Sequence, residues 1–160
     1  RKVTLAVAEL KDDSYLFNDI AGGSQQLTKA DFINQKDIIA SEFQELVDGI
    51  ENDDIVEAVD GVVDVLVTVF GMMQKLENAY GIDFAKACNL IADNNLSKFV
   101  VNEREAADTV AMYKAKGIET YYRYDETYNV YVIRNSKTGK VMKPIDFVPV
   151  SLVECFPTLQ

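Results

Sequence analysis

The chain has 160 residues, 48% of them hydrophobic, which suits one domain, or one domain with a small appendage, built around a proper core. Its formal net charge of −10 sets the surface against nucleic acid, because affinity for phosphate backbones comes mainly from Lys and Arg. There is no histidine, which removes His-based triads, His-ligated zinc and imidazole acid–base chemistry, and leaves carboxylates, Lys, Tyr, Ser, Cys or a hard cation such as Mg²⁺ or Mn²⁺ to carry any reaction.

A first helix is expected over 3–20, with Leu5, Ala8, Tyr15, Leu16 and Ile20 as core candidates. Ala21-Gly22-Gly23-Ser24 breaks it. Thr28 followed by Asp31 is a variant capping box, and opens a second helix. Its apolar positions, Phe32, Ile38, Ile39, Phe43, Leu46, Val47 and Ile50, recur at helical intervals up to Glu51-Asn52. Asp53 and Asp54 are N-cap residues for a third helix, which carries Val56, Val59, Val63, Leu66 and Phe70 on one face. It runs to about Ala79, and Gly81 fits its C-terminal stop. A fourth helix, capped by Asp83, is expected from Phe84 to about Phe99, with Ala87, Leu90, Ile91 and Leu96 inward. A fifth runs from Glu103 to Lys116 and ends at Gly117.

Beyond Gly117 the chain turns β-like. Glu119–Tyr124 and Tyr128–Ile133 are rich in aromatic and β-branched residues, and Asp125–Thr127 between them reads as a hairpin turn. A second turn at Asn135–Gly139 leads into a short strand at Lys140–Lys143. The three prolines, at 144, 149 and 157, make the tail extended. The expected fold is therefore mainly α: an antiparallel helical bundle over 1–116 with a small C-terminal β-hairpin appendage over 117–160. No run reaches the roughly 18 apolar residues of a membrane span. The longest apolar-rich stretch, Val62–Met73, is broken by Asp64, Thr68 and Gly71. With no visible signal peptide, a cytoplasmic location is expected, and Cys88 and Cys155, 67 positions apart, read as two reduced thiols.

The chemistry concentrates on the second and third helices. Glu42 and Glu45, spaced i, i+3, share a helix face, as do Glu57, Asp60 and Asp64. The short connection at Asn52-Asp53 favours antiparallel neighbours. Folding about it brings Glu45 level with Asp60, and Glu42 level with Val63, beside Asp64. Like charges so close disfavour joint ionisation, and a divalent cation reverses that cost. Two readings stand on pattern alone: a cation site, or the edge of a solvated face next to the apolar stripe. Gly61, Thr68 and Gly71, on or beside the acidic stripe, leave room there. Glu57 has its own explanation as the third residue after the Asp54 cap.

The run Glu42-Phe-Gln-Glu45, then Ala58-Val-Asp60-Gly-Val-Val-Asp64-Val-Leu-Val, then Asn95-Leu-Ser-Lys98-Phe99, resembles the MazG-like all-α nucleoside triphosphate pyrophosphohydrolases, in particular their phage-type or small bacterial branch. Gly139-Lys-Val-Met-Lys-Pro144 with Phe147-Val-Pro149 is similar to the ending of that branch, and Phe17-Asn18 with Gly22-Gly23 to its first helix and turn. The resemblance implies an E-x-x-E pair, Glu42 and Glu45, and a second acidic pair, together holding Mg²⁺. Alignment on Val-Leu-Val puts the second pair at Asp60 and Asp64, with Gly61 where the family has its glutamate; alignment on the literal spacing gives Glu57 and Asp60. The height argument selects Asp60 and Asp64.

The resemblance further implies catalytic roles for Glu42 and Glu45, and nucleotide contacts from Asn95 and Lys98, with Lys98 on phosphate. Lys98 near a helix C-terminus also has an explanation in the helix dipole. Tyr15–Asn18 could face a base or the core. The expected activity is Mg²⁺-dependent hydrolysis of a nucleoside or deoxynucleoside triphosphate to the monophosphate and pyrophosphate, for housecleaning or pool control. A homodimer or homotetramer is expected with it, and neither nucleic acid nor membrane as partner. The alternatives are an inactive helical interaction module, and a phosphohydrolase acting on dUTP or phosphoribosyl-ATP.

Overall fold

In the computed structural model of the chain, residues 2–157 are described. They form five helices and one antiparallel hairpin: α1 (Lys2–Ala21), α2 (Lys29–Glu51), α3 (Ile55–Tyr80), α4 (Phe84–Leu96), α5 (Glu103–Ala115), β1 (Thr120–Asp125) and β2 (Val130–Asn135). The mainly helical fold with a C-terminal hairpin is as the sequence implies. The chain divides into two compact units: the part up to Phe84 with the segment from Glu154, and Ala85–Val153. Helices α4 and α5 thus group with the hairpin, whereas the division by composition fell at 116.

In the first unit the helix ends follow local chemistry. Thr28 caps α2 with a full capping box: its hydroxyl accepts from the Asp31 amide, and the Asp31 carboxylate accepts from the Thr28 amide. Asp54 caps α3 by accepting from the Glu57 amide, and Gly81 ends it in the left-handed conformation, φ 64°. The α2–α3 turn uses Asp53 at φ 55°, a region Asp tolerates. Helix α3 is central. Tyr15 donates to Glu77 at 2.7 Å, Gln74 donates to Asp19, and Gln35 donates to the Thr68 carbonyl, so α1 and α2 both run antiparallel to it. The buried Lys75 ammonium donates to the carbonyls of Gly23 and Gln26 and fixes the α1–α2 connection.

The α2–α3 contact is made by small residues. A Cβ on Gly49 would lie 2.7 Å from the Ala58 nitrogen, and one on Gly61 2.8 Å from the Leu46 Cα. The backbones approach closely there, as only glycine permits. Large side chains splay away instead. Leu5, Leu16 and Ile20, expected in the core, are exposed, and so are Phe43, Ile50, Val56, Val59 and Val63 of the periodic apolar positions on α2 and α3; Val56 retains 77% of its surface. Helical period locates an apolar stripe without saying what covers it.

The second unit has a small core of Val100, Ala106 and Ile133, closed by Val110, Tyr122, Tyr131 and Met142. Hairpin register pairs Tyr122 with Ile133 and Tyr124 with Tyr131 on the core face. Helix α4 stops at Leu96, short of Phe99, because Val100 leaves to pair with Tyr131 in both directions. Ile91 and Leu96, expected inward, are exposed. The strand expected at Lys140–Lys143 is reduced to a single bridge, Arg134 with Val141, and Pro144 has no N–H to extend it. Both cysteines are free, Cys88 exposed and Cys155 buried. No helix among the described residues is long and apolar enough to cross a membrane.

Candidate metal centre

The contacts at Gly49–Ala58 and Gly61–Leu46 set the register of α2 against α3. Counted from them, Glu45 comes level with Val62, between Asp60 and Asp64, and Glu42 comes level with Val65, next to Asp64. The register is two positions further on than folding about Asn52-Asp53 suggested. Glu45, Asp60 and Asp64 remain within electrostatic reach of Glu42. Glu42 and Asp64 are half-buried; Glu45 and Asp60 are exposed.

Electrostatics tie the four together. The Glu42 carboxyl is held above its ordinary pKa, first by partial loss of solvent and then by repulsion from Glu45, Asp64 and Asp60 in that order. Among the described residues no ion pair from a basic side chain offsets this; the surface pair Lys36–Asp37 lies elsewhere on α2. Glu57 is less involved. Its amide, not its carboxylate, makes the contact with Asp54, so capping does not occupy its side chain. The donor set is all hard oxygen, which suits Mg²⁺ or Mn²⁺. Among the described residues, however, no three Asp, Glu or Cys side chains are gathered closely enough to hold a metal ion as they stand. A cation would require the carboxylates to turn inward.

One helical turn from Glu42 and Asp64 lies a cleft of about 380 Å³, where the three helices of the first unit meet. Phe17 and Asn18 from α1 line it, with Gln35 and Ile38 from α2 and Thr68 and Gly71 from α3. A Cβ on Gly71 would meet the Gln35 amide nitrogen at 2.8 Å, so glycine gives the two amides their space. Phe17 and Asn18 stood out in the sequence. Gln35 did not, although a lone polar residue at i−3 from Ile38 on an apolar stripe was its signal. Tyr15 faces Glu77 rather than the cleft. Its hydroxyl is held well above the ordinary tyrosine range, by burial first and then by the hydrogen bond and charge of Glu77.

Asn95 and Lys98 belong to the second unit. Lys98 donates to the Asn95 side-chain oxygen at 3.3 Å. It also lines a cavity of about 230 Å³ with Lys140, Lys143 and Tyr113.

No family model matches the chain, and no solved structure matches it. An uncharacterized protein of Acanthamoeba polyphaga mimivirus is 32% identical over 82 residues, which cover 49% of this chain and 33% of the viral protein. The matched region spans about a third of the length of that curated relative.

Proposed function

We propose that the protein is a cytoplasmic, Mg²⁺- or Mn²⁺-dependent pyrophosphohydrolase of nucleoside or deoxynucleoside triphosphates. The observation that supports this most is the register of α2 against α3, which lays Glu42 and Glu45 alongside Asp60 and Asp64, one helical turn from a cleft of suitable size. In this reading Glu42, Glu45, Asp60 and Asp64 hold the cation. A bound divalent ion would neutralise the triphosphate and make a water acidic enough to attack phosphorus. The water oxygen bonds to the α-phosphorus, the bond to the bridging oxygen breaks, and pyrophosphate leaves; Glu42 or Glu45 accepts the water's proton. Phe17, Asn18 and Gln35, which line the cleft, would take the base.

A second copy of the chain fits the exposed apolar face. Ile55, Val56, Val59, Val62, Val63 and Val69 of α3 all lie open.

The test is pyrophosphate release from a panel of NTPs and dNTPs, dUTP included, with Mg²⁺ or Mn²⁺. Wild type should release monophosphate and pyrophosphate, and Glu45→Ala and Asp64→Ala should each lose about a hundredfold or more. No turnover by folded protein would leave the second reading, an acidic helical interaction module. The absence of a closed carboxylate group among the described residues favours that reading.

A further inference from the structure

Charge is divided unequally along the chain. The first unit carries 18 Asp and Glu against 6 Lys and Arg, net −12; Ala85–Val153 carries 8 against 10, net +2. An anion therefore meets excess positive charge only in the second unit, and there the outer face of the hairpin is a groove of about 490 Å³.

Strand alternation builds it. The pairs Tyr121–Arg134, Arg123–Val132 and Asp125–Val130 point away from the core face. Val100 pairs with Tyr131, so its neighbour Phe99 falls on the outer face too, where it lines the groove with Leu96. Val132, only 7% exposed, and Val130 form an apolar floor. Phe99 stands at one side, and Tyr128, 76% exposed, at another.

Two guanidinium groups flank this floor. Arg134 spends one N–H on the Gly139 carbonyl at 2.8 Å. Arg123 is exposed and has no hydrogen bond or ion pair within the described residues. The one carboxylate in the groove, Asp125, is turned to its own backbone: its Oδ1 accepts from the amides of Thr127 and Tyr128 at 3.0 and 3.1 Å. The groove thus combines an unspent planar cation, a second one partly spent, an apolar floor and two aromatic rings.

We infer that this groove binds a nucleoside phosphate, with the flat base against Phe99 and Tyr128 and the phosphate on Arg123 and Arg134. Guanidinium forks match phosphate oxygens in pairs, and aromatic rings stack on any base. The volume is that of a small-molecule site. An acidic peptide would use the arginines but has no need of the rings. The site uses none of the α2 and α3 carboxylates and requires no metal.

The experiment is titration of the full chain with AMP, GMP, CMP and UMP in EDTA, followed by tyrosine fluorescence and calorimetry. Saturable binding is expected, weakened at least tenfold by Arg123→Ala and by Tyr128→Ala, partly restored in Arg123→Lys, and unchanged by Lys36→Ala on the exposed surface of α2. Arg123 and Tyr128 are exposed, so both variants should keep the wild-type circular dichroism. The inference is overturned if no mononucleotide binds, or if binding ignores both variants. It is equally overturned if a single-stranded oligonucleotide binds through Arg123 and mononucleotides do not. EDTA removes turnover, so failure of the hydrolase reading leaves a separate signature: no pyrophosphate release with metal present.

Discussion

Glycine, rather than any acid, is the residue that sets the register of α2 against α3. Gly61 lets α3 approach Leu46 so closely that an added Cβ would sit 2.8–2.9 Å from its Cα, Cβ and nitrogen. Backbone atoms cannot swing aside as a side-chain tip can. Gly61→Ala should therefore cost about 1–3 kcal/mol of stability, the usual range for overpacking, read as a lower urea midpoint. It should also move Glu42 and Glu45 away from Asp60 and Asp64 and weaken any cation affinity with them. An unchanged midpoint would mean that the helices separate freely. The acids themselves were legible in the sequence, because i, i+3 spacing fixes a shared face. The register was not: it depends on where two backbones touch, and Gly49, Ala58 and Gly61 reveal that only once the helices are packed.

At the scale of the element, local signals served best. Thr28 with Asp31, Asp54, Gly81 and Gly117 bound helices where side-chain chemistry says they should, because caps involve only neighbours along the chain. Thr28→Ala should cost roughly 1 kcal/mol, the common loss for a Thr N-cap, measured by chemical denaturation at neutral pH. The pH dependence has a definite sign. Asp31 is held below its ordinary value of 3.8, chiefly by the Thr28 hydroxyl and then by its amide. A depressed carboxyl contributes stability that is full above the unfolded value and lost as pH falls through the folded one. The gap between wild type and Thr28→Ala should thus narrow in acid below that value; a gap that persists there would show that the carboxylate is not part of the cap. Signals that depend on distant partners failed. The helix expected to Phe99 ends at Leu96 because Val100 finds Tyr131, 31 positions later, and the strand at Lys140–Lys143 shrinks to one bridge.

For the whole molecule, the shared face expected of Val56, Val59 and Val63 leaves open what covers it. They form one apolar stripe of α3, and nothing within the described chain covers it. A second copy would. Light scattering should give a mass of at least twice 17.9 kDa, and Val59→Glu, which places a charge where the partner would desolvate it, should shift the protein toward the monomer. A monomeric wild type at micromolar concentration would contradict this. The charge division points the same way as the site chemistry: an acidic helical unit suited to cations, and a second unit with the arginines and the Lys98, Lys140 and Lys143 cluster suited to anions. What most needs testing is whether the α2–α3 carboxylates take up a divalent ion at all. Titration of Mn²⁺ into the intact protein, followed by loss of the free-ion electron paramagnetic resonance signal, tests that without any substrate. Saturable uptake, abolished in Glu45→Ala and Asp64→Ala while the helical circular dichroism stays unchanged, is the expected result. No saturable uptake, or uptake indifferent to both substitutions, would contradict the metal centre and with it the proposed hydrolysis.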